Sequence, residues 1–268
     1  MDFGLRILFL FAQVNSTPMS PRLRFAIETA ILAGRSTLRH FQVPTTVDIK
    51  EDATPVTVAD REAERLIRNA IKSEFPEDSI LGEEEGESSA GINRWVVDPI
   101  DGTKSFISGV PLYATLIAYE EGGSPVIGVC YFPGLNELVY AERGTGCFWN
   151  GRPCRVSSKR SLSGAVIATG STSSMAKRSR SAGFLSIETK VLASRTWGDA
   201  YGHALVATGR VEAMIDPVVA HWDIAAMSVI VQEAGGAFTD FLGRHALSNE
   251  AIRSNGLVHH ELLEAFQS

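Results

Sequence analysis

Cysteine is scarce in this chain. Its three residues in 268, Cys130, Cys147 and Cys154, make no C-x-x-C pair and no Cys/His spacing of the kind that holds zinc. So odd and scattered a set argues against a disulfide-stapled fold and reads as free thiols in a reducing cytoplasm. Cys147 and Cys154 do flank an Asn150-Gly151 turn that would bring them near each other. Long apolar runs are missing too. Leu5 to Phe11 is interrupted by Arg6 and falls far short of the ~20 residues that span a bilayer, and no signal-peptide cleavage site follows it. There is no basic block: 25 Lys and Arg stand against 31 Asp and Glu, a net charge of −6, which disfavours nucleic acid and anionic membranes as partners. No internal repeat and no flexible linker breaks the sequence.

What is present is a large apolar complement, 44% of the chain, enough for one substantial core. Organised sequence begins at Ser20-Pro21, an N-cap followed by proline at the first helical position. Residues 1–18 therefore read as an N-terminal extension or a misassigned start. Leu23, Ile27, Ala30, Ile31, Gly34 and Leu38 recur at helical spacing. Thr57 with Asp60 resembles an aspartate form of a capping box, and Ala63, Leu66, Ile67, Ala70 and Ile71 carry a second helix towards Pro76. From Leu112 to Trp149 the chain is rich in β-formers punctuated by glycine and proline. Beyond Ser163, strand-like Val166 to Thr169 and Val211 to Ile215 alternate with helical Gly202 to Ala207 and Ile224 to Glu233. The expectation is a single domain over 19–268, with an α+β half at about 19–155 and an α/β half at 156–268. The polar stretch Ser171 to Ser181 reads as a mobile surface loop.

Three acidic segments carry the chemistry. Asp98-Pro99-Ile100-Asp101-Gly102-Thr103 follows the apolar run Trp95-Val96-Val97. A strand ending this way delivers two carboxylates to one sheet edge, where mutual repulsion invites a divalent cation. Leu81-Gly82-Glu83-Glu84-Glu85-Gly86 lies just upstream, and His221-Trp222-Asp223-Ile224-Ala225-Ala226 opens a helix that stops at Gly235-Gly236. Each has a plainer reading as well: a surface turn, a solvated acidic face, a helix cap.

In this order and spacing, Gly82-Glu83-Glu84, Asp98 to Thr103 and Trp222 to Ala226 resemble the inositol monophosphatase superfamily of magnesium-dependent, lithium-sensitive phosphatases, from about Ser20 to Phe241. Thr103 to Pro111, Trp197 to Gly202 and Asp216-Pro217 are most similar to its histidinol-phosphate phosphatase branch, although that branch tends to carry glutamate at Asp216. The resemblance implies a layered αβαβα sandwich of the inositol monophosphatase/fructose-bisphosphatase type, a homodimer, and two or three Mg²⁺ per site. It implies hydrolysis of a small phosphate monoester: L-histidinol phosphate in histidine biosynthesis or, alternatively, inositol-1-phosphate or another sugar or nucleotide phosphate. By the same resemblance, Glu83, Asp98, the Ile100 carbonyl, Asp101 and Asp223 are metal ligands, and Glu83, Thr103 and Asp60 are catalytic. If Gly102 and Thr103 begin a helix, their amides are expected to bind phosphate, and Asp199 and Asp216 are the candidates to bind the alcohol portion of the substrate.

Overall fold

The computed structural model describes residues 19–44, 46–50, 54–88 and 92–267; the expected extension at 1–18 lies outside them. Ser20 caps helix α1 (Pro21–Thr37), its hydroxyl accepting the Leu23 amide at 3.1 Å while Pro21 opens the first turn. A two-stranded ribbon, β1 (Val47–Ile49) and β2 (Pro55–Thr57), leads into α2 (Val58–Glu74). The capping box forms at that junction. The Thr57 amide and hydroxyl donate to Asp60 Oδ2 at 2.8 and 2.6 Å, and the Ala59 amide donates to Thr57 Oγ1 at 3.1 Å.

Next come β3 (Ser79–Gly82), β4 (Gly86–Glu87) and β5 (Arg94–Asp101), a short helix α3 (Thr103–Ile107), and then β6 (Ala114–Glu121), β7 (Ser124–Phe132), β8 (Glu137–Glu142), β9 (Gly146–Trp149) and β10 (Arg152–Cys154). They form one sheet in the order β10-β9-β8-β7-β6-β5-β3-β4, antiparallel except where β3 runs parallel to β5. The remaining elements are β11 (Val166–Thr169), α4 (Thr172–Lys177), α5 (Ser181–Glu188), β12 (Ala193–Arg195), α6 (Asp199–Ala207), β13 (Ala213–Asp216), α7 (His221–Glu233), β14 (Ala237–Thr239), β15 (Ala251–Ser254) and α8 (His259–Gln267). Their sheet has the order β12-β11-β13-β15-β14, parallel through β13 and antiparallel beyond it.

Side-chain alternation along the strands builds the layers. Val97, Tyr119 and Val129 face α1 and α2, meeting Ile27, Ile31, Ile67 and Ile71. Val96, Leu116, Cys130 and Val139 face the other way onto α6 and α7, which also meet Ala168 and Met214 of the second sheet. Phe184, Ile187 and Leu262 of α5 and α8 close the far face over Ile167, Ile215 and Ile252. Helix, sheet, helix, sheet, helix is the expected αβαβα order. Lying between two sheets, α7 is buried continuously from Ile224 to Val231. It rests on the backbone of β7, where a Cβ at Gly128 would stand 2.2 Å from the Ala226 carbonyl oxygen. Among the described residues, no helix is long and apolar enough to cross a membrane.

Two expectations need correction. Ser171 to Ser181 is not a loop: Ser171 Oγ accepts the Ser174 amide at 3.4 Å to cap α4, and α5 starts at Ser181. The buried Met175 anchors this segment in spite of its polar composition. The helix expected from Gly202 begins three residues earlier, at Asp199, which adopts a left-handed φ of 58°.

Candidate active site

Strand β5 breaks register with β6 between Asp98 and Asp101. Pro99 cannot donate a ladder hydrogen bond, its carbonyl is taken by Thr115 Oγ1 at 2.9 Å, and the Ile100 amide turns back to Asp98 Oδ1 at 3.0 Å. Gly102 then reverses the chain at φ 85° and caps α3. Acids three residues apart thus come to one point instead of opposite faces. Asp223, the third residue of α7, takes the Ala220 amide at 2.7 Å with Oδ2, so it serves both in a helix cap and at this point. One carboxylate oxygen from each of Asp98, Asp101 and Asp223 lies within 4.8 Å of the others. Glu83, just beyond β3, stands outside that group of three but close enough for its charge to act on Asp98.

Crowded charge shows in the protonation equilibria. Burial, and then the charges of Glu83, Asp101 and Asp223, push the Asp98 carboxyl well above the usual range. Burial and then Asp199 and Asp223 do the same for Asp101. Asp223 rises to about 7, chiefly through burial. Asp60 is also raised by burial, despite its bonds to Thr57, and its second oxygen, Oδ1, has no hydrogen-bond partner. Converging oxygen donors, each costly to ionise alone, together with an orphaned buried carboxylate oxygen, fit a hard divalent cation better than any neutral arrangement. Thr103 begins α3 and donates its hydroxyl to the Ile100 carbonyl at 3.2 Å.

Asp199 and Asp216 reach the same region from α6 and β13. Asp199 Oδ2 lies where a Cβ at Gly102 would stand 2.9 Å away, a second reason for glycine there. The Asp101 carboxylate meanwhile accepts the Ala200 amide at 2.6 Å. Burial and then the Asp199 charge raise Asp216 to about 7; burial raises Asp199, and Lys104 partly opposes it.

Three supporting residues were not visible in the sequence. Lys50 donates to Glu83 Oε1 at 2.9 Å and Glu84 Oε1 at 2.7 Å. Burial works against the ammonium, yet these hydrogen bonds hold its pKa above the usual range. Fully buried Glu64, paired with Arg68 at 2.8 Å, holds the backbone around Glu84, and Gly82 leaves room for it: a Cβ there would stand 2.2 Å from Glu64 Oε1. Arg253 lies opposite Met214 on β15, one strand across from Asp216 on the same face. Burial lowers its pKa to about 9, while Asp216, Asp223 and Asp101 oppose that fall; its Nε and Nη2 lack partners. No local motif marks any of the three.

A family model described as the inositol monophosphatase family matches residues 19–268. A protein named histidinol-phosphatase from Chlorobaculum parvum is 45% identical over 90% of this chain and 92% of its own length. A Streptomyces coelicolor protein of the same name is 41% identical over 90% and 95%. Among solved structures, an inositol monophosphatase (IMPase) from Thermotoga maritima superposes with a TM-score of 0.86 at 37% identity, covering 92% of this chain and 97% of that one.

Proposed function

Because this chain belongs to the inositol monophosphatase family, we propose that its substrate is L-histidinol phosphate, hydrolysed to L-histidinol and phosphate in histidine biosynthesis. The chain is a phosphoric monoester hydrolase of a metal-dependent family. Glu83, Asp98 and the Ile100 carbonyl would hold one divalent cation, and Asp98, Asp101 and Asp223 a second, with Asp98 shared. An all-oxygen donor set suits magnesium, at two or three ions per site. The chemistry supplied by such ions is charge neutralisation at the phosphoryl oxygens and a more acidic water.

The chain's own groups do the rest. Glu83 takes the proton of the attacking water. Thr103, whose hydroxyl proton is engaged by Ile100, offers lone pairs to align that water, with Asp60 supporting it from behind. The Gly102 and Thr103 amides at the start of α3 receive phosphate oxygens. Asp199 and Asp216 receive the alcohol portion. The observation that carries the substrate is this second pair of carboxylates, Asp216 buried and Asp199 half-buried, beside the first cluster. The ammonium of histidinol relieves their repulsion, whereas the hydroxyls of inositol do not.

Inositol-1-phosphate is the second reading, favoured by likeness to the Thermotoga maritima IMPase. Comparing kcat/KM for L-histidinol phosphate and inositol-1-phosphate at saturating Mg²⁺ separates the two; a clear preference for the inositol ester overturns the first. A homodimer in a reducing cytoplasm completes the proposal. Its support is family resemblance, the free thiols, and exposed Val43, Val47 and Ile107 lining a cavity of about 390 Å³ beside α3. Light scattering that returns the mass of a single chain would end the dimer reading.

A further inference from the structure

We propose that Cys147 and Cys154 form a thiol–disulfide exchange site, a two-electron pair at the sheet edge that reacts with a small disulfide such as glutathione disulfide. The pair lies in the β9–β10 hairpin, away from the carboxylate cluster. Asn150 and Gly151 connect the strands with φ of 49° and 77°, the left-handed geometry of the tightest hairpin turns. That turn fixes the register: Trp149 opposite Arg152, Phe148 opposite Pro153, Cys147 opposite Cys154. The pair that closes a two-residue turn exchanges backbone hydrogen bonds, so the next pair does not. Pro153 occupies that next position, where its missing N–H costs nothing. The cysteines then fall at a bonded pair, whose Cα atoms lie about 5.5 Å apart, inside the range that a disulfide bridges.

The sulfurs are 3.4 Å apart in an S–H···S contact. Bonding requires an approach of about 1.4 Å to reach the ~2.05 Å of an S–S bond, within the compass of side-chain rotation. The two thiols have unequal surroundings. Cys147 is buried, while Cys154 is half-buried on β10, the edge strand. The hydrogen bond with Cys147, and then the nearby Arg210, favour the Cys154 thiolate against the cost of burial. The same contact, with burial, holds the proton on Cys147. Cys154 is the attacking sulfur and Cys147 the resolving one.

The Cys154 thiolate attacks one sulfur of glutathione disulfide, the S–S bond breaks, and one glutathione thiolate leaves. Cys147 gives up its proton and attacks the Cys154 sulfur of the mixed disulfide, expelling the second glutathione. Two protein thiols are oxidised and one glutathione disulfide is reduced to two glutathiones. Cys130, at the middle of the sheet in the apolar core, has no sulfur partner among the described residues and takes no part.

The experiment treats the full-length native chain with glutathione disulfide and reads intact mass and thiol-resolved peptide maps. The expected result is loss of two hydrogens, a Cys147–Cys154 cross-link, no lasting glutathione adduct, and full reversal by dithiothreitol. Cys147→Ser should trap glutathione on Cys154, and Cys154→Ser should leave Cys147 reduced. Circular dichroism confirms that both variants fold. The proposal is overturned if the wild-type chain keeps three reduced thiols while a small dithiol control oxidises, or if it accumulates a stable glutathione adduct on Cys154. Phosphatase turnover enters neither arm, so the result is independent of the proposed substrate.

Discussion

Glu64 holds Glu84 by its backbone. One oxygen of the buried carboxylate accepts the Glu84 amide at 2.7 Å, while the other accepts the Glu85 amide at 3.0 Å and Arg68 Nε at 2.8 Å. The turn that presents Glu83 is therefore fixed from α2 and not by its own sequence. Glu64→Gln keeps the size but puts a donor where acceptors are needed. Expected is a fall in kcat of about 10–100-fold, the scale of a small misplacement at a reacting centre, with little change in KM for the phosphate ester and a higher Mg²⁺ requirement. Because Arg68 stays buried beside a neutral partner, stability should fall by up to about 3–5 kcal/mol. Urea denaturation alongside steady-state kinetics separates the effects; unchanged kcat in the folded variant would make Glu64 purely structural.

Asp98→Asn and Asp223→Asn each remove one charge from a repelling cluster. Turnover should be abolished. In chelator, both variants should melt higher than the wild-type chain, since a neutral amide relieves the repulsion. Adding Mg²⁺ should raise Tm for the wild type and leave the variants nearly unmoved. A variant that keeps near-wild-type rates would leave the proposed ligand set.

Asp199→Asn tests substrate choice. A hydrogen bond to a charged group contributes about 1.5–3 kcal/mol, so kcat/KM for L-histidinol phosphate should fall roughly 10- to 150-fold. Inositol-1-phosphate should be affected far less. Equal losses on both esters would remove Asp199 from any role in specificity.

His259 sets an acid limit on stability. Its Nε2 faces Thr239 Oγ1 and its Nδ1 faces Ser254 Oγ, both at 2.9 Å. Thr239 already donates to the Asp240 carbonyl and Ser254 already accepts the Gly256 amide, an arrangement that suits a neutral ring with its proton on Nε2. Burial, and then His245, lower its pKa from 6.5 to about 4. Between those values the unfolded chain binds more protons, so this contribution is complete above pH 6.5 and is lost as pH falls towards 4. From pH 7.5 to 5 the loss should be about 2 kcal/mol. Denaturation midpoints of wild type and His259→Asn across that range should converge at low pH; parallel curves would contradict it.

How much was legible follows from the range of each interaction. The Ser20-Pro21 start, the Thr57–Asp60 box and the Asp98 to Thr103 turn are local events spelled out by neighbouring residues. The cluster of Asp98, Asp101 and Asp223 spans more than a hundred residues, and only the resemblance of three ordered motifs suggested it. Lys50, Glu64 and Arg253 were silent because a lone lysine, a helical glutamate and a strand arginine look the same whether they face solvent or a buried carboxylate. Ser171 to Ser181 looks like a loop for a related reason: one buried methionine docks a segment that, Ala176 apart, carries polar side chains.

At Gly128, where α7 touches β7, even one added methyl group would have to lift the helix that carries Asp223. A residue with no side chain, nearly a hundred positions from Asp223 in sequence, thereby sets how far that carboxylate can reach. Loss of activity without loss of any reactive group is the expected signature of change at this position.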